Sequence, residues 1–328
     1  MQPSPELIER FCRDLDPLVS PDARLGLAVS GGSDSLALLL LAAAARPGQF
    51  EVAAVDHGLR AESRSEAEAV GEICNRLGVP FALLTVNWKR KPQSALQERA
   101  RIARYRLLAA WAKQRDLEVV ATAHHLDDQV ETFLMRLQRG VGVKGLAAMR
   151  RLAPMPGSDL PLVRPLLGWQ RSELAAVCSA AGLSPVQDPS NADPQFERVR
   201  VRHALAAIPE LDVKAVGQSL SYLRQADAAL HWAAAQEWDR AVTAADREIV
   251  YRPDGAPQEI RRRIVSRAIA RLATEGRGME LRGREVDGLL AALRGGRTVT
   301  LRGVLCSGGE QWRFIPAPNR TRPAGRLR

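Results

Sequence analysis

Cysteine is scarce in this 328-residue sequence. Four are present, Cys12, Cys74, Cys178 and Cys306, and no two form a C-x-x-C pair. That spacing excludes a zinc ribbon and gives no iron–sulfur framework. Thiols this sparse in a long chain fit a reducing compartment, so a cytoplasmic location is expected. No apolar run reaches the ~18 residues of a membrane span, and no membrane partner is expected. The start, MQPSPELIERF, lacks a basic segment followed by an apolar core, so no secretory signal is expected. No internal repeat is visible.

What remains is a chain built to fold. Apolar residues make up 46% of it, too many for general disorder. The length suggests about two domains. The net charge is +10 and very unevenly spread. Residues 213–328 hold 21 Lys and Arg against 12 Asp and Glu, a net of +9, almost all carried by arginine. Arginine suits bidentate contacts to phosphate, so the last third fits a polyanionic partner such as nucleic acid. An arginine-rich composition that serves ordinary solvated faces is the plainer alternative.

Hydrophobic patterning predicts alternating strands and helices from residue 24 to about 140. Strands are expected at 24–29, 50–58, 80–88 and 117–125, and helices at 34–46, 64–78, 94–116 and 126–140. The second helix is expected to stop at Gly78. Such alternation implies an α/β fold, a parallel sheet covered by helices on both faces. Its ligands bind at the carboxyl ends of the strands. Three polar clusters, SGGSDS, DHGLR and HHLDDQ, follow three of those strands. Residues 153–167 are proline-rich and read as loop, and 169–183 reads as helix. Beyond a boundary near 210, helices and short strands give a smaller α+β domain. Domains are thus expected at 1–210 and 211–328, with the last ten residues frayed.

The stretch Ser30-Gly31-Gly32-Ser33-Asp34-Ser35 stands between an apolar strand and an apolar helix. Backbone N–H groups at a helix start make a positive concavity suited to phosphate. Gly31 and Gly32 let the chain approach an anion closely. Ser30, Ser33 and Ser35 add hydroxyl donors. Asp34 would repel bound phosphates unless a cation lies between, so it reads as a Mg²⁺ ligand. The loop is neither a Walker phosphate loop nor a G-x-G-x-x-G turn.

S-G-G-x-D-S resembles the signature of the PP-loop ATP pyrophosphatase superfamily. Further strings narrow the resemblance. VDHGLRAES (55–63), ARIARY (100–105), AHHLDDQVETFLMRLQRGVGVKGLAAM (123–149), RPLL (164–167) and DPSNADPQFERVRVRH (188–203) resemble, in order and spacing, the motifs of the tRNA(Ile)-lysidine synthetases. The resemblance covers roughly residues 24–205, and the chain is similar to the short form with one C-terminal domain. It implies an adenine nucleotide alpha hydrolase-like sheet and ATP cleavage between the α- and β-phosphates. It further implies transfer of L-lysine to the wobble cytidine of a CAU-anticodon tRNA(Ile), with Mg²⁺ as cofactor. Some relatives of this kind are dimers, so a homodimer is one expected state.

The residues can carry that chemistry. The oxygen on C2 of cytosine is a poor leaving group until adenylation makes it part of AMP. Phosphate charge would be neutralised at the 30–35 loop. Asp127, Asp128 and Glu131 lie where a strand passes into a helix, and Asp128 and Glu131 share a helix face. The resemblance makes that pair the lysine-recognising acids; as bare sequence, they also suit the positive end of the helix dipole. His124 and His125 precede them without a third metal ligand and read as positioning groups. Asp56, His57 and Arg60 are placed to meet adenosine or its phosphates. Arg101 and Arg104 share a helix face and fit phosphate, or ion pairs with Glu98. Arg198 and Arg202 also share a face and fit tRNA phosphate or nucleotide. Val199 stands where the family usually has Asn. The amine-deprotonating group is open among His125, Asp128, Glu131 and water.

In the last third, Arg261, Arg262, Arg263 and Arg267 lie on one helix opposite Ile260, Ile264, Val265 and Ile269. They suit phosphate contact or the polar face of a packed helix equally well. Trp232, Trp238 and Trp312 read as packing residues. Three other functions are weighed: tRNA thiolation, a tRNA-binding module with an inactive nucleotide site, and a small-molecule synthetase such as NAD synthetase. Thiolation commonly needs catalytic cysteines. Asp34 and the DDQVET string argue against the binding module. A small-molecule enzyme leaves the basic last third without a use.

Overall fold

The structure is a computed structural model that describes residues 2–59, 62–88, 96–147, 149–186, 193–274 and 281–318. Packing divides the chain into two compact units, residues 1–140 with 146–221, and residues 141–145 with 222–328. The division falls after Ser221, within helix α9 (Val213–Ala241).

In the first unit, strands β1 (Leu25–Ala28), β2 (Phe50–Asp56), β3 (Phe81–Thr85) and β4 (Val119–Thr122) alternate with helices α2 (Ser33–Ala45), α3 (Ser63–Leu77) and α4 (Leu96–Gln114). Helix α5 (Leu126–Leu137) follows β4. A short helix, α6 (Val143–Leu146), follows in sequence, its residues 143–145 grouped with the second unit. The six-stranded sheet has the order β3-β2-β1-β4-β6-β5. β1 pairs in parallel with both β2 and β4, Leu27 lying opposite Val52 and Ala121. Every residue of β4 is buried, as a central parallel strand requires. Residues Leu36–Ala42 of α2 are buried all round, so this helix lies inside the unit. Helix α3 ends at Gly78 in the left-handed conformation, φ 67°, as its sequence predicts.

Two local expectations change. Residues 153–167 are not all loop: β5 (Leu152–Pro154) and β6 (Pro161–Val163) form an antiparallel pair at the sheet edge. Leu162 and Val163, both fully buried, pair in parallel with Val120 and Ala121 of β4. The prolines do not interfere because Pro154 ends one strand and Pro161 begins the other. Near the N-terminus, α1 (Pro5–Leu15) buries Phe11 and Leu15 in the core shared with α2 and with α7 (Arg171–Ala180). α8 (Glu197–Ala206) follows.

The second unit has an antiparallel sheet in the order β7-β8-β11-β10-β9, from β7 (Val242–Ala244), β8 (Ile249–Tyr251), β9 (Thr298–Leu301), β10 (Val304–Ser307) and β11 (Trp312–Pro316). Helices α10 (Gln258–Leu272) and α11 (Gly283–Arg294) share its core with Trp238, Tyr251, Trp312 and Phe314. Trp238 and Trp312 are packing residues as expected, whereas Trp232 is 67% exposed.

The arginines of α10 serve the fold. Arg263 ion-pairs with Asp227 at 2.7 Å and with Glu259 at 3.0 Å. Arg262 pairs with Glu259 and Asp287. Arg261 donates to the Pro253 carbonyl. Arg267 lies 4.2 Å above the Trp238 ring. These are the contacts expected of a packed polar face.

Candidate active site

Strand order reverses direction at β1 and β4, where β1 meets β2 on one side and β4 on the other. Ligands of open α/β sheets bind outside the carboxyl ends of the strands at such a point. The loop 30–35 leaves β1 there, and His124–Asp128 leaves β4 beside it.

In the loop, Gly31 has φ 86°, and a Cβ there would lie 3.2 Å from the Val186 side chain. Its carbonyl accepts from Val186 N–H at 3.0 Å. The Ser33 carbonyl accepts from Cys178 Sγ at 3.0 Å. Ser35 Oγ donates to the Gly32 carbonyl at 2.9 Å and accepts from Ser30 N–H at 3.1 Å. The loop carbonyls of Gly31, Gly32 and Ser33 are thus occupied by protein. The N–H groups of Gly31, Gly32, Ser33 and Asp34 have no acceptor among the described residues. A Cβ on Gly32 would meet nothing nearer than 3.9 Å. Free donors and open space at the start of α2 make an anion cradle.

Asp34 and His125 join the loop to β4. His125 is 1% exposed. Its Nε2 lies 3.4 Å from Asp34 Oδ2 and 3.6 Å from Asp128 Oδ2. Its Nδ1 lies 3.4 Å from Asp127 Oδ2, an ion-pair contact without hydrogen-bond alignment. Burial pushes the His125 pKa down, but the three carboxylates outweigh it and raise it to about 9. Burial likewise opposes the Asp34 carboxylate, and His125, Arg171 and Ser33 overcome it, so its pKa falls below the usual value. Against burial, His125 and the Arg171 backbone N–H lower Asp127 to about 2. That N–H donates to Asp127 Oδ2 at 2.8 Å.

Asp128 and Glu131 do not form an open acidic pair. Asp128 accepts from the His125 backbone N–H at 3.2 Å, closing the start of α5. Glu131, 1% exposed, is held by three arginines: Arg171 at 3.1 Å, Arg198 at 3.0 Å and Arg202 at 2.8 Å. A carboxylate this buried requires such partners, and the sequence alone concealed them because they arrive from α7 and α8. Arg171 is a residue that sequence reasoning missed; its signal was its place at the start of a helix after the RPLL string.

Asp56 also plays a local part. It is buried, and its Oδ1 accepts from Gly58 N–H and Ser63 Oγ, shaping the turn after β2. The His57 carbonyl accepts from Trp88 Nε1 at 2.7 Å. Arg101 and Arg104 lie with their Cζ atoms 4.9 and 5.1 Å from the Tyr105 ring centroid. Neither pairs with Glu98 or another carboxylate among the described residues. Val199 is buried in α8. Arg60 and the segment 187–192, which includes most of DPSNADP, lie outside the described residues.

No set of three His, Cys, Asp or Glu side chains among the described residues could hold a metal ion alone. A single half-exposed carboxylate, Asp34, beside an anion cradle suits Mg²⁺ that takes its other ligands from phosphate and water.

The chain matches the PP-loop domain family over residues 5–210. It is 44% identical over 311 residues to a tRNA(Ile)-lysidine synthase from Novosphingobium aromaticivorans, covering 94% of this chain and 93% of that one. It is 41% identical over 306 residues to one from Zymomonas mobilis, covering 92% of each. Its fold resembles the solved U34-tRNA thiolase NcsA from Methanococcus maripaludis, with a TM-score of 0.55 at 17% identity over 66% of this chain and 78% of that chain. The signature loop, the switch-point geometry and nearly full-length similarity agree: this chain belongs to the tRNA(Ile)-lysidine synthase family of PP-loop proteins.

Proposed function

We propose that the protein is an ATP-dependent ligase that joins L-lysine to C2 of the wobble cytidine in CAU-anticodon tRNA(Ile). The cytidine O2 attacks the α-phosphorus of ATP and pyrophosphate leaves. The lysine amine then attacks C2, and AMP leaves with the oxygen. The observation that carries this reading is the meeting of the 30–35 loop with the acidic start of α5, linked by His125 at 3.4 Å from Asp34. The names of full-length relatives support the substrate.

In this reading, loop amides and the hydroxyls of Ser30 and Ser33 bind phosphate oxygens, and Ser35, whose hydroxyl donates to the Gly32 carbonyl, holds the loop in shape. Asp34 would hold Mg²⁺, which would supply neutralising charge. The turn at Asp56 and His57 borders the nucleoside through backbone atoms. Asp127, Asp128 and Glu131 set the charge that receives the lysine ammonium, Glu131 acting with the arginines that hold it. Arg101, Arg104, Arg198 and Arg202 serve tRNA or nucleotide phosphate, and Arg60 is assigned there by its motif. The C-terminal unit binds tRNA backbone, the reaction takes place in the cytoplasm, and a homodimer is compatible with it.

Thiolation, an activity of a PP-loop neighbour, is disfavoured at three of the four cysteines. Burial pushes Cys74 and Cys178 up to about 11 and Cys306 up to about 12, too high for nucleophiles at neutral pH.

The test is mass spectrometry of the tRNA after incubation with ATP, Mg²⁺ and lysine. The expected result is lysine mass on the wobble cytidine; folded protein that adds none to the correct tRNA refutes the reading. Asp34→Ala is expected to lower pyrophosphate release at least a hundredfold, the scale of a lost charge-stabilising group, while tRNA affinity stays within about twofold.

A further inference from the structure

Arg171 enters the site from a stretch with little regular structure. Between the end of β6 at Val163 and the start of α7 at Arg171, the chain makes turns rather than helix or strand. Yet Arg171 meets two acids at once. Its backbone N–H donates to Asp127 Oδ2 at 2.8 Å, and its guanidinium donates to Glu131 Oε1 at 3.1 Å. Side chains from other elements must fix such a stretch, and the outer set comes from α1.

Arg10 and Asp14 are four positions apart on α1 and share a face. Arg10 makes three contacts with the stretch and the helix that follows it. Its Nη2 donates to the Gly168 carbonyl at 2.8 Å, its Nη1 pairs with Glu173 at 2.7 Å, and its Cζ lies 4.1 Å from the centroid of the Trp169 ring. Asp14 Oδ2 accepts from Trp169 Nε1 at 2.9 Å, while Oδ1 pairs with Arg151, just before β5. Trp169 is fully buried. On the inner side, the Trp169 carbonyl accepts from the N–H of Leu126, the first residue of α5, at 2.8 Å. The Leu167 carbonyl accepts from Gln129 Nε2 at 3.3 Å. Residues 167–171 are thus laced between α1 and α5.

The outer ties exceed what docking α1 requires. Phe11 and Leu15 are buried in the core and already anchor the helix. The side chains of Arg10 and Glu173 are each 31% exposed, and ion pairs that water reaches contribute little to stability. What they supply is a fixed position for the backbone between Gly168 and Arg171.

We propose that Arg10 and Asp14 are positioning residues for the amine side of the active site. By holding Gly168 and Trp169 against α1, they set where Arg171 meets Asp127 and Glu131. Without that hold, the Arg171 N–H drifts from Asp127, and the acids no longer offer the amine a single arrangement. That the amine is lysine rests on the proposed function.

Two measurements on the full chain test the link. The first is amide hydrogen exchange, read peptide by peptide. Arg10→Ala is expected to speed exchange about tenfold at Leu126 and Arg171, the scale of one charged hydrogen bond, with β1 and β2 unchanged. The second is the KM for lysine and for ATP in the transfer assay. Arg10→Ala and Asp14→Ala are expected to raise the lysine KM about threefold to tenfold and leave the ATP KM unchanged. Arg10→Lys, which keeps the charge but not the fork that reaches Gly168 and Glu173 together, is expected to recover part of the loss. Trp169→Phe keeps a ring under Arg10 and loses the donor to Asp14, so a smaller rise in lysine KM is expected. Arg46→Ala is the control: it cuts a 2.7 Å tie to Asp16 at the end of α1 and should move neither KM.

Exchange that rises evenly across the whole unit, or lysine and ATP KM values that rise together, overturns the proposal. Local loosening with an unchanged lysine KM also overturns it. If the alanine variants fail to fold, Arg10→Lys and Trp169→Phe decide, and wild-type exchange and lysine KM in both overturn it. Local loosening at Leu126 and Arg171 in a protein whose wild type adds no lysine to tRNA overturns the proposed function and leaves the link from α1 standing. Wild-type protein that adds lysine, with variants that match it in local exchange and lysine KM, does the reverse.

Discussion

The arginines of α10 and those around α5 look alike in sequence and live differently in the fold. On α10, Arg263 has Asp227 and Glu259, Arg262 has Glu259 and Asp287, and Arg267 has the face of Trp238. Around α5, Glu131 is divided among Arg171, Arg198 and Arg202, while Arg101, Arg104 and Arg164 go without an acid among the described residues. A matched arginine contributes to the stability of its own domain. An unmatched one costs stability and keeps its donors for something else. In this chain, the place to look for bound anions is therefore where cations lack partners, rather than where arginines are densest in sequence.

Substitutions can break or sharpen that contrast. The largest expected effect is at Glu131. Glu131→Ala leaves three guanidiniums crowded without their carboxylate, and a loss of about 3 kcal/mol is expected, read from the urea midpoint. Lysine transfer should fall with it. A stability change below about 1 kcal/mol would mean that the three arginines are held independently of Glu131. Arg263→Ala comes next. It removes the cation shared by Asp227 and Glu259, and about 2 kcal/mol is expected to be lost, with lysine transfer per folded molecule unchanged. A fall in transfer without a fall in stability would return α10 to the substrate-binding surface. Arg267→Ala loses a stacking contact worth about 0.5–1 kcal/mol, measured the same way. The smallest effect is at Arg101. Arg101→Ala removes repulsion, so the midpoint should hold or rise slightly even as phosphate affinity drops. A clear destabilisation there would make Arg101 a matched arginine after all.

Much of this was legible from the sequence because it is contiguous. The alternation of β1–β4 with helices follows from apolar runs and their stops, and the strings SGGSDS and HHLDDQVET sit where such a sheet binds ligands. What was not legible depends on distance along the chain. The β5–β6 pair depends on Val120 and Ala121 meeting Leu162 and Val163, and three-residue strands beside Pro154 and Pro161 carry no periodicity of their own. Asp128 and Glu131 look like one acidic face on a helical wheel. Arg171, Arg198 and Arg202 turn Glu131 into a hub, and none of them is within 39 positions of it. The triple arginine of α10 was undecided in sequence because its deciding partner, Asp227, lies 36 residues away.

The grip on the 30–35 loop has a wider consequence. Its carbonyls are secured by the Cys178 thiol and the Val186 amide, both about 150 positions downstream. The loop's aim is therefore set by a remote clamp rather than by the signature itself. Changes at α7 or at Val186 could tilt the cradle and adjust its hold on a nucleotide while every letter of SGGSDS stayed the same. Drift in affinity across such a family can be written in positions that a comparison of signature motifs passes over.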